Sequence, residues 1–490
     1  MRKRHMAMNS WDLVSRARAC LRGERGALHT GAPFRVALCY PGPYPVGMSS
    51  LGFQTIYREI HLHPGAGAER TFLPEDAEDY RRLRVPLFTC ESETPVADFP
   101  VVAFSISFEL EITGLLELLS LSGIPQLRTD RTARHPLIIA GGPLTYSNPL
   151  PLAPFVDLIF LGEAEELIHT FLDAASSTGR AELLSRFAAL PGCYVPGLSD
   201  GLPPIARAQE DRLPAHSQIT TPNAVLRSMF LIEPERGCSR TCTFCVMRGT
   251  TNGGMRLVAP EKVLALIPGD ARRVGLVGAA VTDHPRIEDL VGDIVRSGRE
   301  IGISSLRADR LSEQLMGLLR QGGCRTLTTA ADGVSQRLRD SVQRRTNEQH
   351  LIRAAELVRK YHLERMKLYE IIGLPGETPA DIDELVRFSL ELARIVPLSL
   401  AISPFVAKRN TPLDGAPFEP IPSLEGKLAR LRAGVKDKVD IRSVSARWAW
   451  VEHKLAQGGE AEGIAALEAW RGGGDFASWK RSLKDATRTP

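Results

Sequence analysis

Three of the eight cysteines in this 490-residue chain stand close together, in the stretch ERGCSRTCTFC (235–245). Cys238, Cys242 and Cys245 have the spacing CxxxCxxC, which places three thiol ligands on one loop. Three thiolates can surround a compact cluster of iron, whereas a tetrahedral structural zinc needs a fourth protein ligand. No further Cys or His follows closely. The loop therefore predicts an iron–sulfur cluster with one iron left open to a small ligand.

The elements around this loop predict an incomplete barrel. The loop directly follows a strand candidate, SMFLIEP (228–234), and further apolar runs alternate with amphipathic helical segments as far as residue 425. The later strand candidates are 273–280, 301–306, 325–330, 366–372 and 398–404. Thr346 with Gln349, and Thr378 with Pro379 and Asp381, have the spacing of helix start signals. Chemistry is expected on loops at the carboxyl ends of such strands.

The front half predicts a different α/β domain. Four apolar runs, at 34–41, 101–107, 136–143 and 156–163, are separated by helical candidates that include 50–61 and 109–123. Strands that are apolar throughout are typical of a parallel sheet covered by helices on both faces. The pattern predicts a doubly wound, Rossmann-like domain that ends near residue 190.

These patterns predict an α/β chain of five parts. They are a helical N-terminal lead (1–33), the doubly wound domain (34–190), a Pro-rich and polar linker (191–227), a partial (β/α)6 TIM-type barrel (228–425) and a helical C-terminal segment (426–490). The C-terminal segment carries four of the five tryptophans, which predicts a helical lid packed on the barrel, with substrate stacking as the alternative.

The composition favours a globular cytoplasmic protein. No apolar run approaches the roughly 18 residues of a membrane span. The basic opening stretch is not followed by an apolar core and a small-residue cleavage site, so a secretory signal is not expected. The cysteines show no regular pairing, which agrees with a reducing compartment. A net charge of +4 is too small to indicate a nucleic-acid partner. A basic stretch between Lys427 and Lys454 is interpreted as a solvated helix surface, with an RNA or acidic-substrate contact as the alternative.

The stretch CSRTCTFC, with Phe244 before the last cysteine, resembles the cluster motif of the radical SAM superfamily. The resemblance implies that Cys238, Cys242 and Cys245 hold a 4Fe–4S cluster whose fourth iron is chelated by S-adenosylmethionine. It also implies an external electron donor of the flavodoxin or ferredoxin type. One electron from the reduced cluster then cleaves the sulfonium and produces a 5′-deoxyadenosyl radical.

The resemblance also assigns contacts to S-adenosylmethionine along the barrel. They lie in GLVGAAVTDHP (275–285), SSLRADR (304–310), TAADGVSQRLRD (329–340) and IIGLPGET (371–378). Two departures stand out, because Gly278, Ala279 and Ala280 replace the usual Gly-Gly-Glu and an aspartate stands where a glutamate is expected. The implied cofactor-binding residues are Phe244, Gly278, Ala279, Ser305, Arg307, Asp332 and Gly373.

The front half, including YPGPYPVGMSSLGFQTIY and IAGGPLTYSNPLPLAPFVD, resembles the cobalamin-binding-like domain of one large, mostly uncharacterised radical SAM subfamily. Domains that bind cobalamin through a histidine carry Asp-x-His-x-x-Gly after the first strand, and this chain has PGPYPVGMSS there. His61 and His63 come too late. Two alternatives follow: cobalamin bound without a histidine ligand, or a domain that has lost the cofactor.

The resulting hypothesis is a radical SAM enzyme that reductively cleaves S-adenosylmethionine and acts on a small molecule or natural product. Methyl transfer follows if cobalamin binds. The alternatives are a methylthiotransferase-like tRNA-modifying enzyme and a non-catalytic redox sensor. The former would need three further cysteines, and Cys39, Cys90 and Cys193 are widely separated. Several polar residues lie near strand ends, but no catalytic residue is assigned among them: Glu370, Asp283, His284 and Lys408.

Overall fold

The computed structural model describes residues 9–28, 31–248 and 254–486, and it divides the chain into two compact units. The first unit contains the described residues up to Ser228 together with those from Gly458 onward. The second contains Met229–Gln457. No helix in the described ranges has the length and apolarity that a membrane span requires.

The first unit is built on a six-stranded sheet with the order β2, β1, β3, β4, β5, β6, in which only the last pair is antiparallel. Its strands are β1 (Phe34–Tyr40), β2 (Ala66–Phe72), β3 (Val101–Ser105), β4 (Leu137–Gly141), β5 (Leu158–Phe160) and β6 (Cys193–Tyr194). The four predicted strands correspond to β1, β3, β4 and β5. The sequence does not predict β2, because Glu69 and Arg70 interrupt its apolar pattern.

Helices cover both faces of this sheet, which confirms the doubly wound prediction. The helices of the front part are α1 (Ser10–Leu21), α2 (Tyr44–Gly47), α3 (Leu51–Leu62), α4 (Ala77–Leu83), α5 (Ile112–Leu121), α6 (Glu165–Ala175) and α7 (Arg180–Ala188). Val36 and Leu38 of β1 belong to the same buried cluster as Phe53 of α3 and Phe171 of α6. Because side chains alternate along a strand, buried Ala37 faces the opposite side of the sheet.

Residues 191–227, predicted as a linker, pack along the first unit. The Ala206 N–H donates to the Leu161 carbonyl at 2.7 Å, and the Thr220 N–H donates to the Arg25 carbonyl at 3.0 Å. Leu213 is buried as well. This segment is therefore a strap on the first unit.

The end of the chain corrects the prediction of one helical segment over 426–490. Within the first unit, β4 and β5 are joined by two short 3-10 turns, Pro143–Tyr146 and Leu150–Leu152. Helix α16 (Glu460–Arg471) packs against the second turn and α5, followed by α17 (Phe476–Ala486). The Trp470 indole donates to Glu117 at 3.0 Å, and Trp479 is fully buried. These two tryptophans therefore pack in the first unit, not on the barrel.

The second unit is the predicted partial barrel of parallel strands. Its parallel strands are β7 (Met229–Ile232), β10 (Arg273–Leu276), β11 (Glu300–Ile303), β12 (Thr326–Ala330), β13 (Arg365–Ile372), β14 (Leu398–Pro404) and β15 (Asp440–Ser443). A separate antiparallel pair is formed by β8 (Glu235–Arg236) and β9 (Arg256–Leu257). One parallel sheet has the order β11, β10, β7 and another has the order β12, β13, β14, β15. A parallel bridge between Leu306 and Thr329 joins them. The sequence does not predict the polar strand β15.

The helices of the second unit alternate with its parallel strands. They are α8 (Pro260–Leu266), α9 (Ile287–Arg296), α10 (Glu313–Gln321), α11 (Gln336–Ser341), α12 (Glu348–Lys360), α13 (Pro379–Ile395), α14 (Ile421–Val435) and α15 (Ala446–Gln457). The start of α13 is confirmed, because Thr378 and Asp381 form a capping box ahead of Pro379. The predicted start of α12 is wrong by one residue. The cap is Asn347 and not Thr346, because the Asn347 side chain accepts the His350 N–H at 2.9 Å.

Candidate active site

The three cysteines of the CxxxCxxC stretch line one cavity of about 260 Å³ in the second unit. Their loop follows β7 and β8, so it lies after the first barrel strand as predicted. Cys242 is buried, and Cys238 and Cys245 are partly buried. The loop is held by its backbone, because the Thr243 N–H donates to the Val342 carbonyl at 3.1 Å.

The electrostatics of these thiols favour a positively charged ligand. Burial raises the pKa of Cys245 to about 11 and also raises the pKa of Cys238. The nearby sulfur of Cys242 raises both further. Buried thiols this close together ionise readily only when positive charge compensates them. In the described part of the chain, no three Cys, His, Asp or Glu side chains are arranged as the ligands of a single ion. Three soft thiol donors around one cavity fit an iron–sulfur cluster.

Five of the seven residues predicted to contact S-adenosylmethionine line the same cavity as the cysteines: Phe244, Ala279, Ser305, Arg307 and Asp332. Gly278 precedes Ala279 and is not among the lining residues. Gly373 lies outside the cavity. Its φ of 85° and its N–H, which donates to the Glu377 carboxylate at 3.0 Å, make it part of the turn between β13 and α13. Its placement therefore does not support a cofactor contact.

Arg307 is part of an ion-pair network that joins three loops of the site. Its guanidinium bonds both carboxylate oxygens of Asp283 at 2.6 Å and also bonds Asp309. Arg240, between the first two cysteines, lies 3.5 Å from a carboxylate oxygen of each of these aspartates. The network ties the cysteine loop to the ends of β10 and β11. Asp283 and Asp309 thus neutralise the positive charge of Arg307, which the resemblance assigns to a contact with S-adenosylmethionine.

Asp332 forms a second ion pair in the cavity, with Arg344 at 2.9 Å. Burial raises the pKa of Asp332, and Arg344 opposes this shift. Burial would lower the pKa of Arg344, but Asp332 and then the Cys242 sulfur raise it. Asp332 has a left-handed backbone (φ 56°), which an aspartate tolerates better than a branched residue. The sequence does not single out Arg344, because it belongs to no motif.

Two adjacent polar residues of β13, Tyr369 and Glu370, face different environments. Tyr369 lines the cavity, whereas Glu370 is buried and accepts the Gly333 N–H at 3.2 Å. Burial raises the pKa of Glu370 to about 8. Successive side chains on a strand point to opposite faces, so the alternation itself is the signal that could have found Tyr369.

The other acid–base candidates are engaged in structural contacts. His284 is buried, and its Nε2 lies 3.0 Å from the Val258 carbonyl. Lys408 pairs with Glu452 at 2.8 Å. Neither histidine nor lysine lines the cavity. Among the further lining residues, the sequence analysis missed Arg240, Met247 and Arg248. The others lie in segments that it assigned to contacts with S-adenosylmethionine: Ala280, Leu306 and Ala330.

Two families of known proteins match this chain in succession. Residues 52–196 match the family described as Radical SAM proteins, N-terminal, and residues 232–389 match the Radical SAM superfamily. The chain belongs to the radical SAM superfamily. It is a radical SAM enzyme, and the cofactors of that family are a 4Fe–4S cluster and S-adenosylmethionine.

Its relatives match between about half and four fifths of this chain. An uncharacterized protein of Methanocaldococcus jannaschii is 26% identical over 78% of this chain and 80% of its own length. An uncharacterized methyltransferase of Pyrococcus horikoshii is 23% identical over 52% of this chain and 58% of its own length. A solved structure of the cobalamin-dependent S-adenosylmethionine radical enzyme OxsB, with aqua-cobalamin and S-adenosylmethionine bound, superimposes with a TM-score of 0.52 at 14% identity. That alignment covers 83% of this chain and 56% of OxsB, so the chain spans little more than half of that structure. This likeness establishes a shared fold.

The residues of the first unit do not fit cobalamin bound through a histidine. The described loops after β1, β3, β4 and β5, at the carboxyl edge of the sheet, contain no histidine. His61 precedes β2 instead, and its Nε2 lies 3.1 Å from the Ala68 carbonyl. His63 bonds Asp173 at 3.0 Å.

The fold also tests two observations that bear on the tRNA-modifying alternative, namely the positions of the cysteines and the basic stretch. Cys39 lies on β1 and Cys193 on β6, four strand positions apart, which corresponds to about 19 Å at about 4.8 Å per strand. Two cysteines this far apart cannot ligate one cluster. In the basic stretch, Lys427 pairs with Glu377 at 2.8 Å and Arg430 pairs with Asp383 at 2.6 Å. These pairs favour the interpretation of a helix surface.

Proposed function

We propose that Cys238, Cys242 and Cys245 hold the 4Fe–4S cluster of this radical SAM enzyme and that the adjoining cavity binds S-adenosylmethionine. When bound and reduced, the cluster supplies one electron that breaks a carbon–sulfur bond of the sulfonium and yields a 5′-deoxyadenosyl radical. One observation carries this proposal: the three thiols share a cavity with five residues that the resemblance to radical SAM proteins assigns to S-adenosylmethionine.

The residues of the cavity divide the work of binding. Phe244 and Tyr369 contribute aromatic surface, which helps to exclude water from a reactive site. We assign the carboxylate of the methionine half to Arg344, whose ion pair in the described residues is with one carboxylate, Asp332. This assignment is preferred over Arg307, which is bonded to two aspartates.

The proposal is tested by anaerobic reconstitution with iron and sulfide, followed by S-adenosylmethionine and dithionite in place of a flavodoxin- or ferredoxin-type donor. The wild type should hold about four irons per chain and release 5′-deoxyadenosine. Cys242→Ala should lose both. Cys324→Ala is the matched control, because its Sγ contacts the Ile301 carbonyl at 3.5 Å and does not line the cavity. A stable cluster without 5′-deoxyadenosine would favour a redox sensor, and a single bound zinc would refute the proposal.

We further propose that the radical chemistry ends in methyl transfer to a small molecule or natural product, with a corrinoid in the first unit. Support comes from the methyltransferase relative and from the fold shared with a cobalamin-dependent enzyme. A cavity of about 490 Å³ lies at the carboxyl ends of β1 and β2, lined in part by Tyr44, Phe72 and Phe88. Because the described loops at this edge contain no histidine, we infer a corrinoid without a protein histidine ligand.

This finer proposal is tested by titrating the purified protein with hydroxocobalamin and recording its visible spectrum. Stoichiometric binding is expected, with the same spectrum in His61→Ala and His63→Ala, because neither histidine lies at the carboxyl edge. After reduction of the bound hydroxocobalamin to cob(I)alamin with titanium(III) citrate, methyl-labelled S-adenosylmethionine should transfer its methyl cation to the cobalt and leave S-adenosylhomocysteine. Failure to bind cobalamin would refute this step and leave the cleavage of S-adenosylmethionine intact.

A further inference from the structure

Glu235 is a fully buried carboxyl group in the second unit, three residues before the first cluster cysteine. It lies on β8, which pairs with β9 ahead of the cysteine loop. One oxygen, Oε1, accepts the Ala280 N–H at 2.8 Å. Strand β8 leads directly into the cysteine loop, so the Glu235 backbone is continuous with that loop. Glu235 therefore lies between the cysteine loop and the loop that contains Ala280.

The loop over Gly278–Ala280 is shaped around this carboxyl group. A Cβ built on Gly278 would lie 2.2 Å from the Glu235 Oε1, so a side chain at position 278 would require the buried carboxyl group of Glu235 to move. The Ser304 hydroxyl donates to the Gly278 carbonyl at 3.2 Å and anchors the loop from the β11 side. Ala279 and Ala280, which follow, line the cavity. The loop is thus fixed by one side-chain contact on each side.

The second oxygen of Glu235, Oε2, is buried and makes no hydrogen bond in the described part of the chain. A buried carboxyl group with one unsatisfied oxygen costs free energy, so its presence calls for a compensating role. The same loop lacks the acidic residue that the usual Gly-Gly-Glu pattern carries, because Ala280 stands in that position.

We propose that Glu235 is a positioning residue of the S-adenosylmethionine site. It holds the Gly278–Ala280 loop through the Ala280 N–H and ties this loop to the cysteine loop, so that the backbone carbonyls beside Ala279 face the amino group of the ligand. A carboxyl group from β8 thereby replaces the one missing from the loop. The inference rests on the proposed use of this cavity for S-adenosylmethionine.

The test compares Glu235→Ala with Glu235→Gln in the reconstituted full-length protein. Equilibrium dialysis should give a dissociation constant for S-adenosylmethionine at least about tenfold weaker in Glu235→Ala, as expected for a lost buried hydrogen bond. Glu235→Gln retains an oxygen that can accept the Ala280 N–H, and its affinity should stay within about threefold of the wild type. Iron content should not change in either variant. Asp157→Ala removes another buried carboxyl group that accepts a backbone N–H, that of Ile138 at 2.8 Å in the first unit, and should leave the affinity unchanged.

A measurement without ligand tests the positioning role separately. Hydrogen exchange of the peptide around Ala280 should be faster in the apo form of Glu235→Ala and close to wild type in Glu235→Gln. Gly278→Ala should disturb the same peptide, and the double variant with Glu235→Ala should be no worse than Glu235→Ala alone, because the clash is removed.

The outcomes separate this inference from the proposed function. Unchanged exchange and unchanged affinity in Glu235→Ala would overturn the inference, and so would a loss in Glu235→Gln as large as in Glu235→Ala, which would indicate a direct charge contact. A loss of iron in Glu235→Ala would instead assign the residue to the cluster loop and also overturn it. If the wild type binds no S-adenosylmethionine, the proposed function fails, while hydrogen exchange still decides whether Glu235 holds the loop.

Discussion

Replacement of Glu370 by glutamine should make the protein more stable at neutral pH. Glu370 is 2% exposed on β13, and burial raises its pKa to about 8; Arg339 opposes the shift and Asp332 adds to it. In the folded protein the carboxyl group therefore keeps its proton at pH 7, whereas in the unfolded chain it ionises near 4.5. Glutamine has the same shape, does not ionise and can still accept the Gly333 N–H that Glu370 accepts at 3.2 Å.

The size and sign of the effect follow from the two pKa values. Below pH 4.5 both states are protonated and Glu370 contributes no pH dependence. Between about 4.5 and 8 the unfolded state has lost the proton and the folded state has not, so the free energy of unfolding falls by about 1.4 kcal/mol per pH unit. At pH 7 the cost is about 3 kcal/mol, as an order of magnitude. Glu370→Gln removes this cost, and its advantage over the wild type should grow with pH up to about 8.

The assay is chemical denaturation of both apo proteins at pH 5, 6, 7 and 8, with the free energies of unfolding subtracted at each pH. The subtraction cancels other titrating groups that the substitution does not touch. Glu391→Gln, a partly exposed glutamate on α13, controls for the change in net charge. A difference between wild type and Glu370→Gln that stays constant across this range would refute the reasoning, since burial of a titrating carboxyl group requires a slope.

Two further substitutions test the packing of the first unit. Arg70→Ala should lower the free energy of unfolding by about 3–5 kcal/mol in denaturant. The reason is that buried Glu24 and Glu91, at 2.7 and 2.5 Å from Arg70, would lose their cation. An effect below about 1 kcal/mol would mean that these carboxyl groups are solvated. Gly463→Ala should loosen α16 and expose residues 458–490 to limited proteolysis, because the new Cβ would lie 2.3 Å from the Pro151 carbonyl oxygen. The control is Gly459→Ala, where the new Cβ has open space, and it should behave as wild type. Equal proteolysis of the two variants would contradict the observed docking.

The strands with continuous apolar runs were predictable, because burial on both faces leaves a mark on every residue. This is why β1, β3 and β4 appear in the sequence close to their observed bounds. Strand β2 was not predicted from the sequence, for the opposite reason. It carries Glu69 and Arg70, and Arg70 is buried only because partners distant in sequence, Glu24 and Glu91, neutralise it.

The same division holds in the candidate site. The CxxxCxxC spacing by itself determined a three-thiol loop after the first barrel strand, since ligands on one short loop are close together in any fold. Tertiary structure decided which other residues share the cavity. Arg344 and Tyr369 come from segments more than 90 residues away, and Gly373, within a familiar glycine-rich stretch, lies outside.

The sequence alone determined that the chain has two α/β units and a cysteine loop, because local periodicity and spacing carry that information. Tertiary structure alone decided that residues 458–486 return to the first unit and that Glu235 lies against Gly278. These contacts join residues far apart along the chain, and they depend on how whole elements pack, which no local pattern records.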